Sequence, residues 1–124
     1  VEAANERSLV VGHIENKEMA EKIDEICQIP DIDVVFVGPA DMSQSLGIPG
    51  KSKDPRIVEV ACKVLEAAEK YGKAGGINVT NPQDLEMYIQ HGARYIMYSS
   101  DTGIFAKALK STVAQFAPYQ SEKK

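Results

Sequence analysis

The sequence predicts an α/β fold with a parallel sheet, and three observations carry that prediction. Four short apolar runs rich in β-branched residues recur along the chain. Each is followed by a segment whose apolar residues repeat at helical spacing, and the helical segments open on capping residues or Asn/Asp-Pro pairs and close on glycine. The runs show no clean alternation of apolar and polar residues, which is the pattern of strands covered on both faces. The order β-α-β-α-β-α-β-α implies parallel strands joined by right-handed crossovers.

Taken in order, Leu9–Ile14 is the first strand and stops at Glu15. Asn16 can cap a helix with the stripe Met19, Ile23, Ile26 and Cys27. Ile32–Val37 is the second strand, closed by Gly38-Pro39. Asp54-Pro55 then places a capping acid before a proline at the first helical position, and Ile57, Val60, Ala61, Val64, Leu65 and Ala68 hold one face until Gly72. Ala74–Val79 is the third strand, weakened by Gly75 and Gly76. Asn81-Pro82 starts a helix with Leu85 and Ile89 inward and Gly92 as its stop. Arg94–Tyr98 is the fourth strand, and Asp101 or Thr102 opens a last helix expected to face Phe105, Ala108, Leu109, Thr112, Val113 and Phe116 inward. The recurring unit has no internal linker, so 1–124 reads as one domain, with residues 1–8 as the end of a preceding helix and 121–124 as a frayed tail.

Composition narrows the class. Fourteen basic residues against 18 acidic ones leave a formal charge of −4, too acidic a balance for a nucleic-acid or anionic-membrane surface. No apolar run approaches the ~20 residues of a membrane span, and the polar residues 1–8 do not read as a signal peptide. Cys27 and Cys62 are too few for a disulfide framework and lack zinc-site spacing, so a cytoplasmic protein is expected.

Ligands of parallel α/β folds bind at the carboxyl ends of strands. Two such ends carry acids: Glu15 in His-Ile-Glu-Asn, and Asp41 in Gly-Pro-Ala-Asp-Met-Ser. Carboxylates projecting from adjacent strands at one end of a sheet can grip a hard divalent cation, with water and substrate completing its shell. They can also divide the acid and base roles of a glycosidase-like reaction, or simply cap helices. In Gly38-Pro39-Ala40-Asp41, glycine permits close backbone approach, and the amides that follow can point at an anion.

With these motifs in view, the sequence resembles the HpcH/HpaI metal-dependent, class II aldolases, which include 2,4-dihydroxyhept-2-enedioate and 2-keto-3-deoxysugar-acid aldolases. The resemblance runs from about Leu9 to Phe116. It is carried by Leu9-Val-Val-Gly-His-Ile-Glu-Asn16, by the stretch Ile32 to Gly47, by Gly72-Lys-Ala-Gly-Gly-Ile77 and by Ser100-Asp-Thr-Gly103. It implies a TIM-type (β/α)8 barrel of which this chain supplies about the last four βα units. It also implies a lyase that binds Mg²⁺, Mn²⁺ or Co²⁺ and reversibly cleaves a 4-hydroxy-2-oxo acid to pyruvate and an aldehyde through a metal-stabilised enolate. On this reading the metal ligands fall on Glu15 and Asp41, and the amides holding the pyruvate carboxylate on Ala40 and Asp41. The position two before the first ligand, usually Gln in the family, is His13, a candidate catalytic or orienting residue. Asn78 stands where some members place an apolar residue lining the substrate pocket.

The family's His and Arg from early strands have no matching context here, since His91 precedes Gly92 at a helix end. A barrel needs ~250 residues, so this piece alone is expected to have little aldolase activity. Partners are expected to be a small 2-oxo acid and an aldehyde, with no nucleic acid or membrane, in a homo-oligomer; the resemblance implies assembly through the last helix, whose stripe ends at Phe116. A citrate-lyase β or malyl-CoA lyase-like activity is the alternative, weakened by the lack of a basic cluster for CoA phosphates. A metal- or oxo-acid-binding assembly module without catalysis is the third reading. Tyr88, Tyr95, Tyr98 and Met42 read as packing residues, and Ser43 to Lys53 as a loop at the catalytic end.

Overall fold

In the computed structural model, residues 7–119 are described. The helix end expected over 1–8 lies outside them as far as residue 6, and so does the tail over 121–124. The elements are β1 (Val11–Ile14), α1 (Lys17–Glu21), α2 (Ile23–Cys27), β2 (Val34–Val37), α3 (Pro39–Ser45) and α4 (Pro55–Lys70). They continue with β3 (Ala74–Val79), a 3₁₀ turn (Pro82–Asp84), α5 (Leu85–Gln90), β4 (Ala93–Tyr98), α6 (Asp101–Phe116) and a closing 3₁₀ turn (Ala117–Tyr119). The four strands form one open parallel sheet in the order β1-β2-β3-β4.

Strand alternation divides the sheet into two faces. Ile14, Val35, Val37 and Ile77 face the helices and pack with Ile23 and Cys27 of α2 and with Ile57, Ala61, Val64, Leu65 and Ala68 of α4. Gly75 lets α4 approach this closely, because a Cβ there would lie 2.8 Å from Leu65 Cδ2. On the opposite face, His13, Phe36, Gly76 and Tyr95 stand in one register row. The rings of His13 and Phe36 are 4.8 Å apart, those of Phe36 and Tyr95 meet edge-on at 6.0 Å, and a Cβ at Gly76 would fall 2.7 Å from Phe36 Cδ2.

Several sequence expectations change in detail. β1 and β2 begin two residues later than expected, leaving Leu9 and Val10 exposed. The helix after Asn16 is capped as foreseen, with Asn16 Oδ1 accepting the Met19 N–H at 2.9 Å, but it breaks at Lys22 into α1 and α2. The segment after Gly38 forms α3 before the loop begins. In α5 the buried residue is Tyr88, whereas Ile89 is 54% exposed. The preceding 3₁₀ turn advances about 120° per residue instead of 100°, which rotates the inward face.

The largest departure is α6. Its expected inward stripe is uncovered, with Phe105 66%, Leu109 49%, Val113 60% and Phe116 58% exposed, and every residue of the helix is exposed on all sides. Ser99, in the left-handed region at φ 56°, turns the chain between β4 and α6. The helical periodicity was legible, but the surface that would cover it is not in this sheet.

Asp54 fixes the start of α4: its Oδ1 accepts the Arg56 N–H, and both carboxylate oxygens accept from the Arg56 guanidinium at 2.8 and 3.0 Å. These bonds, the side-chain ones foremost, lower its pKa to about 2. Because the folded value lies below that of the unfolded chain, this stabilisation is complete above the ordinary carboxylate range and is lost as the pH falls from about 4 toward 2. Urea midpoints followed by circular dichroism should therefore fall less between pH 5 and pH 2 in Asp54→Asn than in the unaltered chain.

Candidate active site

Glu15 and Asp41 leave the carboxyl ends of two neighbouring parallel strands, so both acids stand at the same end of the sheet. Glu15 directly follows β1, and its side chain lies across the β2–α3 turn: a Cβ on Gly38 would sit 3.1 Å from Glu15 Cγ and 3.3 Å from Oε1. The missing side chain at Gly38 is what leaves room for this carboxylate. Three residues on, Asp41 occupies the first turn of α3 and is exposed.

His13 lies one pleat below Glu15 on the same face, and its Nδ1 donates to Glu15 Oε1 at 3.1 Å. With its ring against Phe36, His13 is anchored at both ends and orients the carboxylate. Pro39 has no N–H and no side chain caps α3 among the described residues, so the first-turn amides at Ala40 and Asp41 have no intrahelical partner.

Two serines that the sequence reading missed hold this turn. Buried Ser43 donates from Oγ to the Ala40 carbonyl at 2.6 Å and accepts the Gly50 N–H at 3.2 Å. Ser45 Oγ accepts the Lys17 N–H at 3.0 Å, tying the loop that carries Glu15 to the helix that carries Asp41. The one available signal was the Ser-x-Ser spacing after Asp41, which is too common to single out.

Asn78 lies on β3, paired with Met97. It shares the open face with Gly76, and extending the β2–β3 register by one residue sets it beside Gly38. A cavity of about 110 Å³ opens at these strand ends, with Pro39, Ala40, Lys53, Asn78, Thr80 and Asp84 in its wall. Lys53 Nζ donates to Asp84 Oδ2 at 2.7 Å across it. His91 is elsewhere: it ends α5 at the amino side of β4 and contacts Glu66 Oε1 through Nδ1 at 2.7 Å.

Among the described residues, no group of three or more His, Cys, Asp or Glu side chains converges as a metal cage. A two-carboxylate site is what a hard divalent cation uses when water and substrate supply its remaining oxygens, and the oxygen donors of Glu15 and Asp41 suit that chemistry.

The comparisons with known proteins bear on the whole chain. Residues 1–108 match the model of the family described as HpcH/HpaI aldolase/citrate lyase. The chain belongs to that family. A relative, 2-keto-3-deoxy-L-rhamnonate aldolase of Salmonella schwarzengrund, is 36% identical over 121 residues, covering 95% of this chain and 44% of the relative. The crystal structure of the citrate synthase SbnG matches at a TM-score of 0.88 and 28% identity, over 98% of this chain and 49% of that one. An HpcH/HpaI aldolase/citrate lyase family protein from Burkholderia cenocepacia matches at a TM-score of 0.84 and 28% identity, over 92% of this chain and 44% of that one. The chain thus spans about half the length of the relatives it matches. Its four βα units are those of the family's TIM-type barrel.

Because Gly38 leaves room for Glu15, Gly38→Ala should displace that carboxylate by a few tenths of an ångström while leaving the helix-side core untouched. If Glu15 is a ligand of a divalent ion, isothermal titration with Mn²⁺ should show affinity weakened several-fold, with an unchanged circular dichroism spectrum.

Proposed function

We propose that this chain forms the metal- and oxo-acid-binding half of a class II aldolase, a carbon–carbon lyase that reversibly cleaves a 4-hydroxy-2-oxo acid to pyruvate and an aldehyde. The observation that carries the reading is the Glu15 carboxylate lying across Gly38, at the end of the strand next to the one that leads into Asp41. The aldolase name of the curated relatives favours it over the citrate-lyase β and malyl-CoA lyase alternative.

In this reading Glu15 and Asp41 hold a divalent ion, Mg²⁺, Mn²⁺ or Co²⁺. When bound, that ion supplies Lewis-acid stabilisation of the charge that develops on the keto oxygen as the C3–C4 bond breaks. The Ala40 and Asp41 amides receive the carboxylate of the oxo acid and fix its orientation. Ser43 holds the Ala40 carbonyl, and through it the pitch of those amides. His13 keeps Glu15 aimed at the ion rather than at solvent. Asn78 lines the substrate side of the cavity.

The expected result is that Mn²⁺ binds the chain and promotes binding of oxalate or pyruvate, and that Glu15→Gln and Asp41→Asn each reduce both by about tenfold or more, read by calorimetry. Metal-independent oxo-acid binding, or binding indifferent to both substitutions, would sink the assignment and leave a non-catalytic module.

The protein is also proposed to be a cytoplasmic homo-oligomer. No helix among the described residues is long and apolar enough to cross a membrane, and the free thiols of Cys27 and Cys62 suit a reducing compartment. The α6 stripe of Phe105, Leu109, Val113 and Phe116 repeats at about one helical turn, a self-complementary surface for a second copy. Light scattering should find an assembly larger than one chain, and Leu109→Asp with Val113→Asp should reduce it to the monomer.

A further inference from the structure

We infer that Ser45 is a positioning residue: its hydroxyl closes a hydrogen-bonded bracket that fixes the separation of Glu15 and Asp41, and so fits the pair to a small divalent cation rather than a large one. This rests on the metal-binding reading given above and adds which cation the site prefers and what enforces the preference.

Two hydrogen bonds join the segment that carries Glu15 to the one that carries Asp41. At the strand end the Gly38 N–H donates to the Ile14 carbonyl at 3.2 Å. Beyond the acids, the Lys17 N–H donates to Ser45 Oγ at 3.0 Å. Between these ties the chain runs from Ile14 to Lys17 on one side and from Gly38 to Ser45 on the other, so both acids lie inside a closed ring. Asp41 and Ser45 are four residues apart on α3 and share a face of it. Because Ser45 meets Lys17, that face is turned toward the β1–α1 loop, where Glu15 lies across Gly38.

The bond also answers a local need. Lys17 is the first residue of α1, so its N–H has no acceptor within its own helix. The Asn16 cap serves Met19 instead. Ser45 supplies the acceptor from a different element, and without it the bracket is tied at the strand end alone. A small cation such as Mg²⁺ holds its oxygens at about 2.0–2.1 Å in a near-ideal octahedron, whereas Ca²⁺ takes about 2.3–2.6 Å in a larger, more flexible shell. Mn²⁺ shares the octahedral oxygen shell. Two carboxylates held at one separation favour the small ion, and carboxylates free to spread favour the large one.

Isothermal titration of the whole chain with Mn²⁺ alone and with Ca²⁺ alone gives the ratio of their affinities. Ser45→Ala should lower the Mn²⁺-over-Ca²⁺ ratio about fivefold, within what the loss of one hydrogen bond can move. Ser45→Thr, which keeps the hydroxyl, should hold the ratio of the unaltered chain. Lys17→Pro removes the donor instead. Proline suits the first position of a helix, and Asn16, at φ −139° and ψ 162°, already has the extended backbone that precedes one. That variant should match Ser45→Ala, and combining the two should go no further. The lost lysine charge acts on both ions alike and leaves their ratio alone. A serine needed only for folding would shift thermal melting without moving the ratio. An unmoved ratio in Ser45→Ala, or in Lys17→Pro should the alanine variant not fold, overturns the role of Ser45 and leaves the metal site standing. A threonine variant as relaxed as the alanine one does the same. Failure of Mn²⁺ to bind, or binding indifferent to Glu15→Gln and Asp41→Asn, overturns the site reading and this inference together.

Discussion

The site depends on a steric vacancy at one strand end. Parallel pairing of β1 with β2 brings Glu15 level with Gly38, and the absence of a side chain there gives the glutamate room to cross. Everything else in the site is arranged around this crossing. His13 steadies Glu15 from the pleat below, Asp41 follows within one helical turn, and Ser45 ties the two loops together. A side chain at position 38 would push the Glu15 carboxylate aside without removing it.

The same logic of omitted side chains runs through β3. Gly75 admits α4 on one face, and Gly76 admits the Phe36 ring on the other, so two adjacent glycines serve two different layers. The resulting sheet is packed on its helix side, where α4 buries Ile57, Ala61, Val64, Leu65 and Ala68. On the other side it presents a row of rings and, one pleat above, the polar residues of the site.

Residues that announce their roles chemically were the legible ones. Proline after a capping acid located α4, and Asn16 located the start of α1. The acids flanking β-branched runs pointed to the strand ends, and the family resemblance is matched by family membership over residues 1–108. Illegible were features set by contacts between distant segments. Ser43 and Ser45 matter because of Gly50 and Lys17, neither of which advertises a partner. The short helix α3 follows a Gly-Pro turn and was hidden by the loop-like composition after it.

The sequence by itself determined the βα rhythm, the strand limits of β3, the caps, and the identity of the acids at the strand ends, because these follow from local sterics, hydrogen bonding and periodicity. Only the tertiary structure decided which face each side chain takes and what lies against it. Helical periodicity marks an apolar stripe on α6 but cannot say whether the sheet or another surface covers it, and in this fold the turn at Ser99 leaves that stripe exposed. Asn78 likewise reads as an ordinary polar residue until the register sets it beside Gly38 with its oxygen buried and unpaired.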